Sequence, residues 1–354
     1  MASIINLCTA RTGSFGASFL FVLLLSLAVL SGCGQDETPE PQSYSGATMG
    51  TTYHVRVFPG EATVPADIGD GIRRILNEIN RSMSTYLEDS ELNRLNRTPV
   101  GEPFAVSPAL LEVLVLAGRI HRLTGGAFDP TVGPLVDLWG FGPEDTGNRV
   151  PGPGEIAELV GRHGIDKLEV REGDSVVVRR GPVRLDLSAI AKGYAVDRVS
   201  RYLVGQGLNS HMVEVGGELY LSGVKPSGEP WRIAVERPRA GARQVQRVLA
   251  LSDAGLATSG DYRNFFEKDG KRYSHTIDPR TGYPIDHGLA SVTVVADTSA
   301  RADALATAFM VMGPDAALAL ADSRGIPVYL VVKDDEGFVD RYNVYLEPYL
   351  TEVD

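Results

Sequence analysis

The spacing of apolar positions changes along the chain, and each spacing predicts an element. Thr51 to Phe58 (TTYHVRVF) alternates and is rich in β-branched and aromatic residues, the pattern of a strand with one face buried. Between residues 66 and 83, Ile68, Ile72, Ile75, Leu76, Ile79 and Met83 share one helical face. An amphipathic helix therefore follows the strand. A second helix is predicted from Ser107-Pro108, where serine can cap and proline suits the first turn, to about Leu123, before Gly125-Gly126 stops it.

Residues 140 to 154 (GFGPEDTGNRVPGPG) are the longest breaker-rich stretch of the interior, read as a surface loop rather than a domain boundary. Beyond it the pattern gives a short helix from Glu155, β-rich pieces near 167 to 185, and a helix from about 190 to 205. Short strands follow between 211 and 258, then a strand at 290 to 296 and helices near 299 to 312 and 314 to 323. Strands near 326 to 332 and 337 to 346 complete the chain. Strands and helices mix without a regular βαβ rhythm, so the expected class is α+β: mixed sheets with flanking helices in one compact unit.

The N-terminus follows a different rule. Phe15 to Leu30 is an apolar run with only Arg11 and the amino terminus as positive flank, too short to span a bilayer and shaped like a signal peptide. Leu30-Ser31-Gly32-Cys33 resembles the lipobox of bacterial lipoproteins, in which the cysteine is acylated and becomes the new N-terminus. A plain secretory signal or an uncleaved anchor is the alternative. The expected organisation is a signal peptide at 1–32, a polar, proline-containing tether at 33–43 beginning at lipidated Cys33, and a folded domain at 44–354. That places the protein on the periplasmic side of a membrane. Cys8 and Cys33 are the only cysteines, so no disulfide or cysteine cluster holds the fold.

The formal net charge of −11 becomes one unit more negative if Arg11 leaves with the signal. So acidic a chain lacks the general basic surface that phosphate backbones require, and nucleic acid is not an expected partner. The sequence also has no Walker A loop, no Gly-x-Gly-x-x-Gly after a strand, no His-Glu-x-x-His and no Gly-x-Ser-x-Gly elbow. A Rossmann or P-loop unit and serine hydrolysis lose ground together.

Several segments carry more polar residues and glycine than their setting needs. Gly125 to Pro134 (GGAFDPTVGP), running on to Trp139-Gly140-Phe141-Gly142, lets a backbone approach a ligand, and Asp129 can accept hydrogen bonds. A helix stop followed by turns explains the same residues. Arg184 to Asp197 (RLDLSAIAKGYAVD) feeds a β-rich piece into a helix start near Ser188, where backbone amides suit a phosphate and Lys192 adds charge. A capped helix with a solvated lysine is the plainer account.

In Ser299 to Met310 (SARADALATAFM), Asp303 and Thr307 are i and i+4 and offer hard oxygen ligands of the type Mg²⁺ prefers, while alanines allow another segment to pack close. A dipole-stabilised aspartate and a back-bonded threonine would look the same. Finally, RYSHTIDPRTG places His275 at the end of a β-rich run, directly before an Asp278-Pro279 turn that would present it. A lone histidine is more often structural than catalytic, but the chain has only six, and a base working near neutral pH would most economically be one of them.

Taken in order, GATMGTTYHVRV, GGAFDPTVGPLVDLWGFG, LDLSAIAKGYAVD, VEVGGELYLSG, ATSGDYRNFF, YSHTIDPRTGYP and DALATAFMVMG closely resemble the ApbE family of FAD:protein FMN transferases, also described as flavin-trafficking lipoproteins. The resemblance covers roughly residues 44 to 350. It implies an enzyme that takes FAD and Mg²⁺ and joins FMN through its phosphate to a threonine hydroxyl of an acceptor flavoprotein, releasing AMP. Acceptors in the family are membrane-linked flavoproteins such as Nqr or Rnf-type subunits.

Carried across, Met49, Tyr86, Ala127, Phe128, Asp129, Asp186 and Ile277 would line the flavin site, with Lys192 touching phosphate or lying near it. Asp303, Thr307 and the carbonyl of Ala189 would hold Mg²⁺, and His275 would be the catalytic base. A Mg²⁺-dependent FAD pyrophosphatase, a non-catalytic FAD-binding lipoprotein and a generic solute-binding lipoprotein remain as alternatives, the last disfavoured by the missing βαβ rhythm.

Overall fold

The computed structural model describes residues 40–142, 149–236, 245–261, 264–334 and 337–352. The expected signal peptide, Cys33, most of the tether, residues 143–148 of the breaker-rich loop, and Tyr262-Arg263 lie outside the described residues. Those described belong to one compact unit, Glu40–Asp354.

The chain begins with strands β1 (Gln42–Thr48) and β2 (Thr51–Phe58), then helices α1 (Ile68–Met83) and α2 (Glu91–Arg97), a short β3 (Pro103–Ala105) and α3 (Pro108–Leu123). Helices α4 (Gly133–Leu138) and α5 (Pro153–Arg162) precede β4 (Leu168–Arg171), β5 (Val176–Arg179) and α6 (Ala191–Gly205). A run of strands follows: β6 (Ser210–Val215), β7 (Glu218–Ser222), β8 (Trp231–Glu236), β9 (Val245–Leu251) and β10 (Ala254–Gly260). The hairpin β11 (Phe265–Lys268) and β12 (Lys271–Ser274) leads to β13 (Leu289–Ala296), α7 (Ser299–Met312) and α8 (Pro314–Arg324). Strands β14 (Val328–Lys333), β15 (Phe338–Tyr342) and β16 (Leu350–Thr351) end the fold.

The expected α+β class is what forms. An eight-stranded sheet in the order β1-β2-β6-β7-β10-β13-β14-β15 is antiparallel at every described pairing. Its central strand β13, LASVTVVA, is buried along nearly its whole length because both faces are covered. Val292 and Val294 enter the main core with the helices, while Val295 enters a second core with Trp231 and Leu249 of the sheet β16-β9-β8. β14 divides the same way: Val328 and Leu330 point to the helices, Tyr329 and Val331 to the small sheet.

Local signals decide most boundaries. The Ser107 side chain accepts a hydrogen bond from the N–H of Leu110 and opens α3 where its cap predicted. The six apolar residues assigned to the face of α1 are all buried. The sequence reading missed β1, which joins β2 through a two-residue turn at Met49-Gly50 with φ of 48° and 74°. It also missed α2, α4 and β11, each too short for its periodicity to stand out, whereas β12 is the β-rich run expected before His275. The tail strand ends at Tyr342, short of the expected 346.

Helix α7 is apolar nearly all round and lies inside the molecule, with Ala302, Ala304, Ala306 and Ala308 fully buried. Its first turn is pressed against α6 and β10. A Cβ at Gly193 would stand 2.4 Å from the Ser299 carbonyl oxygen, and one at Gly255 would stand 2.3 Å from the Ser299 nitrogen. Asp197 of α6 accepts the N–H groups of Ser299 (2.7 Å) and Ala300 (2.9 Å), which have no partner within their own helix.

Backbone atoms cannot move aside as a side-chain tip can, so Gly193→Ala should destabilise the protein by roughly 3 kcal/mol, the upper end of overpacking costs, or prevent folding. Gly161→Ala, in α5 with nothing within 4 Å of its added Cβ, should be neutral or stabilising by up to about 1 kcal/mol. Urea midpoints of the two variants against the parent protein check both.

Candidate active site

A cavity of about 420 Å³, in the range of small-molecule sites, opens where several separated segments meet. Its walls include Tyr86 after α1, Ala127 to Pro130 after α3, Asp186, Ser188, Ala189 and Lys192 before and in α6, and Glu218 at the start of β7. Thr258 to Gly260 of β10, Asn264, His275 to Ile277 after β12, and Asp303, Thr307 and Met310 of α7 complete it. Of the residues singled out in the sequence for flavin, metal or catalysis, all except Met49 line this space. Met49 sits instead in the β1–β2 turn, half-buried against the main core. Tyr86 is 73% exposed, a ring standing free at the rim.

His275 marks one side of the cavity. The β11–β12 hairpin that carries it is not part of the large sheet. It is held by stacked rings: Trp139 on Tyr273 at 5.5 Å, Phe266 on Tyr273 at 5.1 Å and Phe141 on Phe266 at 5.6 Å. Trp139 also donates its indole N–H to the Gly282 carbonyl at 2.8 Å, which fixes the far side of the loop. Between these anchors Asp278 to Gly282 makes the expected turn, with the Gly282 N–H donating to the Asp278 carbonyl at 2.8 Å.

The His275 Nδ1 lies 2.9 Å from the Asn264 carbonyl oxygen. A carbonyl can only accept, so Nδ1 carries the proton and Nε2 is left with its lone pair, the form a general base needs. Burial lowers the pKa of His275, with a smaller push from Arg272, against the opposing pull of the Asn264 carbonyl and Asp261. The ring is therefore neutral at pH 7.

The other side is charged. Asp303, 3% exposed, accepts the Gly193 N–H through Oδ2 at 3.1 Å, and Lys192 Nζ lies 3.7 Å from the same oxygen and 3.1 Å from Glu218 Oε1. Thr307 Oγ1, one turn on, is 3.3 Å from Ser259 Oγ. Burial works against the Lys192 ammonium, but the carboxylates of Asp303 and Glu218 outweigh it and raise its pKa. Burial also raises Asp303, and burial together with the Asp303 charge raises Glu218 against the opposing pull of the Lys192 ammonium.

These groups suit a small hard cation. They supply carboxylate and hydroxyl oxygens beside the Ala189 turn, and the buried Glu218 Oε2 has no hydrogen-bond partner. Among the described residues there is no cluster of three or more acidic, histidine or cysteine ligands, so a cation here would rely on hydroxyl, backbone and substrate oxygens as well.

The two aspartates expected to contact flavin, Asp129 and Asp186, are less open than their sequence suggested. Asp129 is 7% exposed; its Oδ1 accepts the N–H (2.8 Å) and hydroxyl (2.6 Å) of Thr131, and its Oδ2 accepts the Ile165 N–H at 3.3 Å. His121 and His163 flank it at 3.5 and 3.9 Å. In this conformation its carboxylate braces the turn that presents Ala127 and Phe128. Asp186 closes a similar turn, accepting the Ser188 N–H at 2.8 Å, while its own N–H donates to the Pro130 carbonyl at 2.7 Å and joins the two walls.

Glu218, Ser259 and Asn264 were not singled out in the sequence. The available signal was a glutamate directly after Gly216-Gly217, at the head of a strand destined for the sheet interior.

The chain as a whole is similar to known proteins. A family model described as the ApbE family matches residues 49–330. The chain is 46% identical over 334 residues to the FAD:protein FMN transferase of Vibrio cholerae serotype O1, covering 94% of this chain and 98% of that protein. It is 44% identical over 327 residues to the FAD:protein FMN transferase of Haemophilus influenzae, covering 90% and 94%. Among solved structures, the flavin transferase ApbE from Vibrio cholerae superposes with a TM-score of 0.81 at 44% identity over 88% of this chain and 99% of that one. The apo form of the Pseudomonas stutzeri flavinyl transferase ApbE gives 0.81 at 39% identity over 89% and 98%. With sequence and fold in agreement over nearly all of the described chain, the protein belongs to the ApbE family.

Proposed function

We propose that the protein transfers FMN from FAD to a threonine hydroxyl of an acceptor flavoprotein and releases AMP, in a Mg²⁺-dependent reaction. The observation that carries this reading is that a neutral histidine whose Nδ1 is held by the Asn264 carbonyl lines the same cavity as Asp303 and Thr307. The relatives named FAD:protein FMN transferase, matched along most of their length, support the same chemistry.

In this reading the flavin lies along the wall of Tyr86, Ala127, Phe128 and Ile277, and the pyrophosphate rests between the Asp186–Lys192 turn and α7. His275 Nε2 accepts the proton of the threonine hydroxyl as its oxygen forms a bond to the FMN phosphorus. The bond between that phosphorus and the bridging oxygen breaks, and the oxygen leaves on AMP. Asp303, Thr307 and the Ala189 carbonyl would hold Mg²⁺, which when bound neutralises pyrophosphate charge. Lys192 keeps its charge beside the same oxygens. Positioning supplies much of the acceleration in such a transfer, consistent with a site whose residues are fixed by buried backbone contacts.

The periplasmic location and the lipid anchor at Cys33 belong to the same proposal, supported by the Leu30 to Cys33 sequence. No helix among the described residues is long and apolar enough to cross a membrane. Acceptors of the Nqr or Rnf type fit an enzyme tethered at that surface.

Incubation with FAD, Mg²⁺ and a domain bearing an acceptor threonine should yield protein-bound flavin fluorescence that survives denaturation. Free FMN and AMP without labelled acceptor would point to a pyrophosphatase instead. His275→Ala should slow transfer by about 10² to 10⁴-fold while FAD still binds, and Asp303→Asn should remove the response to Mg²⁺. Because the neutral ring is the active form, kcat/KM for the acceptor should be constant above neutrality. It should fall as pH drops through a midpoint below about 6.5, the ordinary histidine value, and this acid limb should vanish in the slow residual rate of His275→Ala.

A further inference from the structure

Glu218 has no task in the transfer described above, yet it is built into the cation side of the cavity. It is 5% exposed, and its Oε2 lacks a hydrogen-bond partner. Burying a carboxylate in this way costs stability unless its charge is used. The contact it does make is with Lys192, whose ammonium is nearer to Glu218 Oε1 (3.1 Å) than to Asp303 Oδ2 (3.7 Å).

The route of the lysine is also constrained. Its stem passes close over Gly216, where an added Cβ would lie 3.3 Å from Lys192 Cδ and 2.8 Å from the Thr51 methyl group. The glycine turn at the head of β7 thus gives the side chain room to reach Glu218. Asp303 is needed by a divalent cation, and a lysine ammonium seated on it would repel that cation at short range in a poorly screened site. One lysine within reach of two buried carboxylates can serve only one of them fully.

We propose that Glu218 is a positioning residue that draws the Lys192 ammonium away from Asp303, so that Asp303 stays available to the divalent cation. The inference rests on the metal reading of the previous section. It assigns Glu218 a part in cation affinity without making it a ligand, and it predicts that the effect of Glu218 passes entirely through Lys192.

Mn²⁺ binding to the full folded domain without FAD, followed by the loss of the free-ion electron paramagnetic resonance signal, tests this independently of turnover. Glu218→Gln should weaken Mn²⁺ binding by at least about tenfold, and Glu218→Asp, which keeps the charge, should recover most of that loss. Lys192→Met should bind Mn²⁺ at least as tightly as the parent, and the double variant should match Lys192→Met within about twofold. Circular dichroism confirms that each variant is folded; should Glu218→Gln fail to fold, the comparison of Glu218→Asp with and without Lys192→Met carries the same cycle, a smaller deficit again disappearing without the lysine.

Unchanged affinity on removing the Glu218 carboxylate overturns the proposal. So does an equal loss in the Lys192→Met background, which would make Glu218 a direct ligand. Failure of the parent protein to bind Mn²⁺, or undiminished binding by Asp303→Asn, overturns the metal reading itself and this inference with it, a result distinct from either of the former.

Discussion

The first turn of α7 rests on α6 and β10 at a separation that leaves no room for a Cβ at Gly193 or Gly255. Steric fit alone would tolerate sliding, but Asp197 converts it into a fixed register by accepting the Ser299 and Ala300 N–H groups. Those donors lie at the positive end of a buried helix, where an anionic acceptor both satisfies them and opposes the dipole. The site follows from this seat. Lys192 directly precedes Gly193, and Asp303 lies one turn into α7, so the contact that joins the helices also brings the lysine to the aspartate.

The opposite side of the cavity is organised by different physics. The β11–β12 hairpin makes no strand pairing with the large sheet and depends on the packed rings of Trp139, Phe141, Phe266 and Tyr273. Two backbone-directed bonds, from Trp139 to Gly282 and from His275 to Asn264, then set where the histidine stands and which nitrogen carries its proton. Burial acts on both sides but with opposite chemical results. It keeps His275 neutral, with the Nε2 lone pair available, and it leaves Asp303 and Glu218 in need of positive charge.

The elements themselves were largely legible because their causes are local. The face of α1, the Ser107 cap of α3 and the alternation of β2 each depend on residues within a few turns or pairs of one another. Short pieces such as α4 and β11 were not legible, since six or four residues carry little periodic signal. The candidate site was legible as a set of segments. His275, Asp303, Thr307, Lys192 and the Ala127–Asp129 turn do share one cavity, whereas Met49 lies in a hairpin turn outside its lining.

By itself the sequence determined the mixed α+β character, the helix and strand faces, and which side chains could act as base or hard-cation ligand, because composition and spacing dictate these directly. Only the tertiary structure decided how those side chains are used. It turned the Asp129 carboxylate inward onto Thr131 and Ile165, gave Lys192 two buried carboxylate neighbours, and brought Glu218 into a site that its position in a strand did not announce. The physical reason is that charge, protonation and hydrogen-bonding capacity depend on burial and on partners across the fold, and the Lys192 and Asp303 partnership exists only where two helix backbones touch.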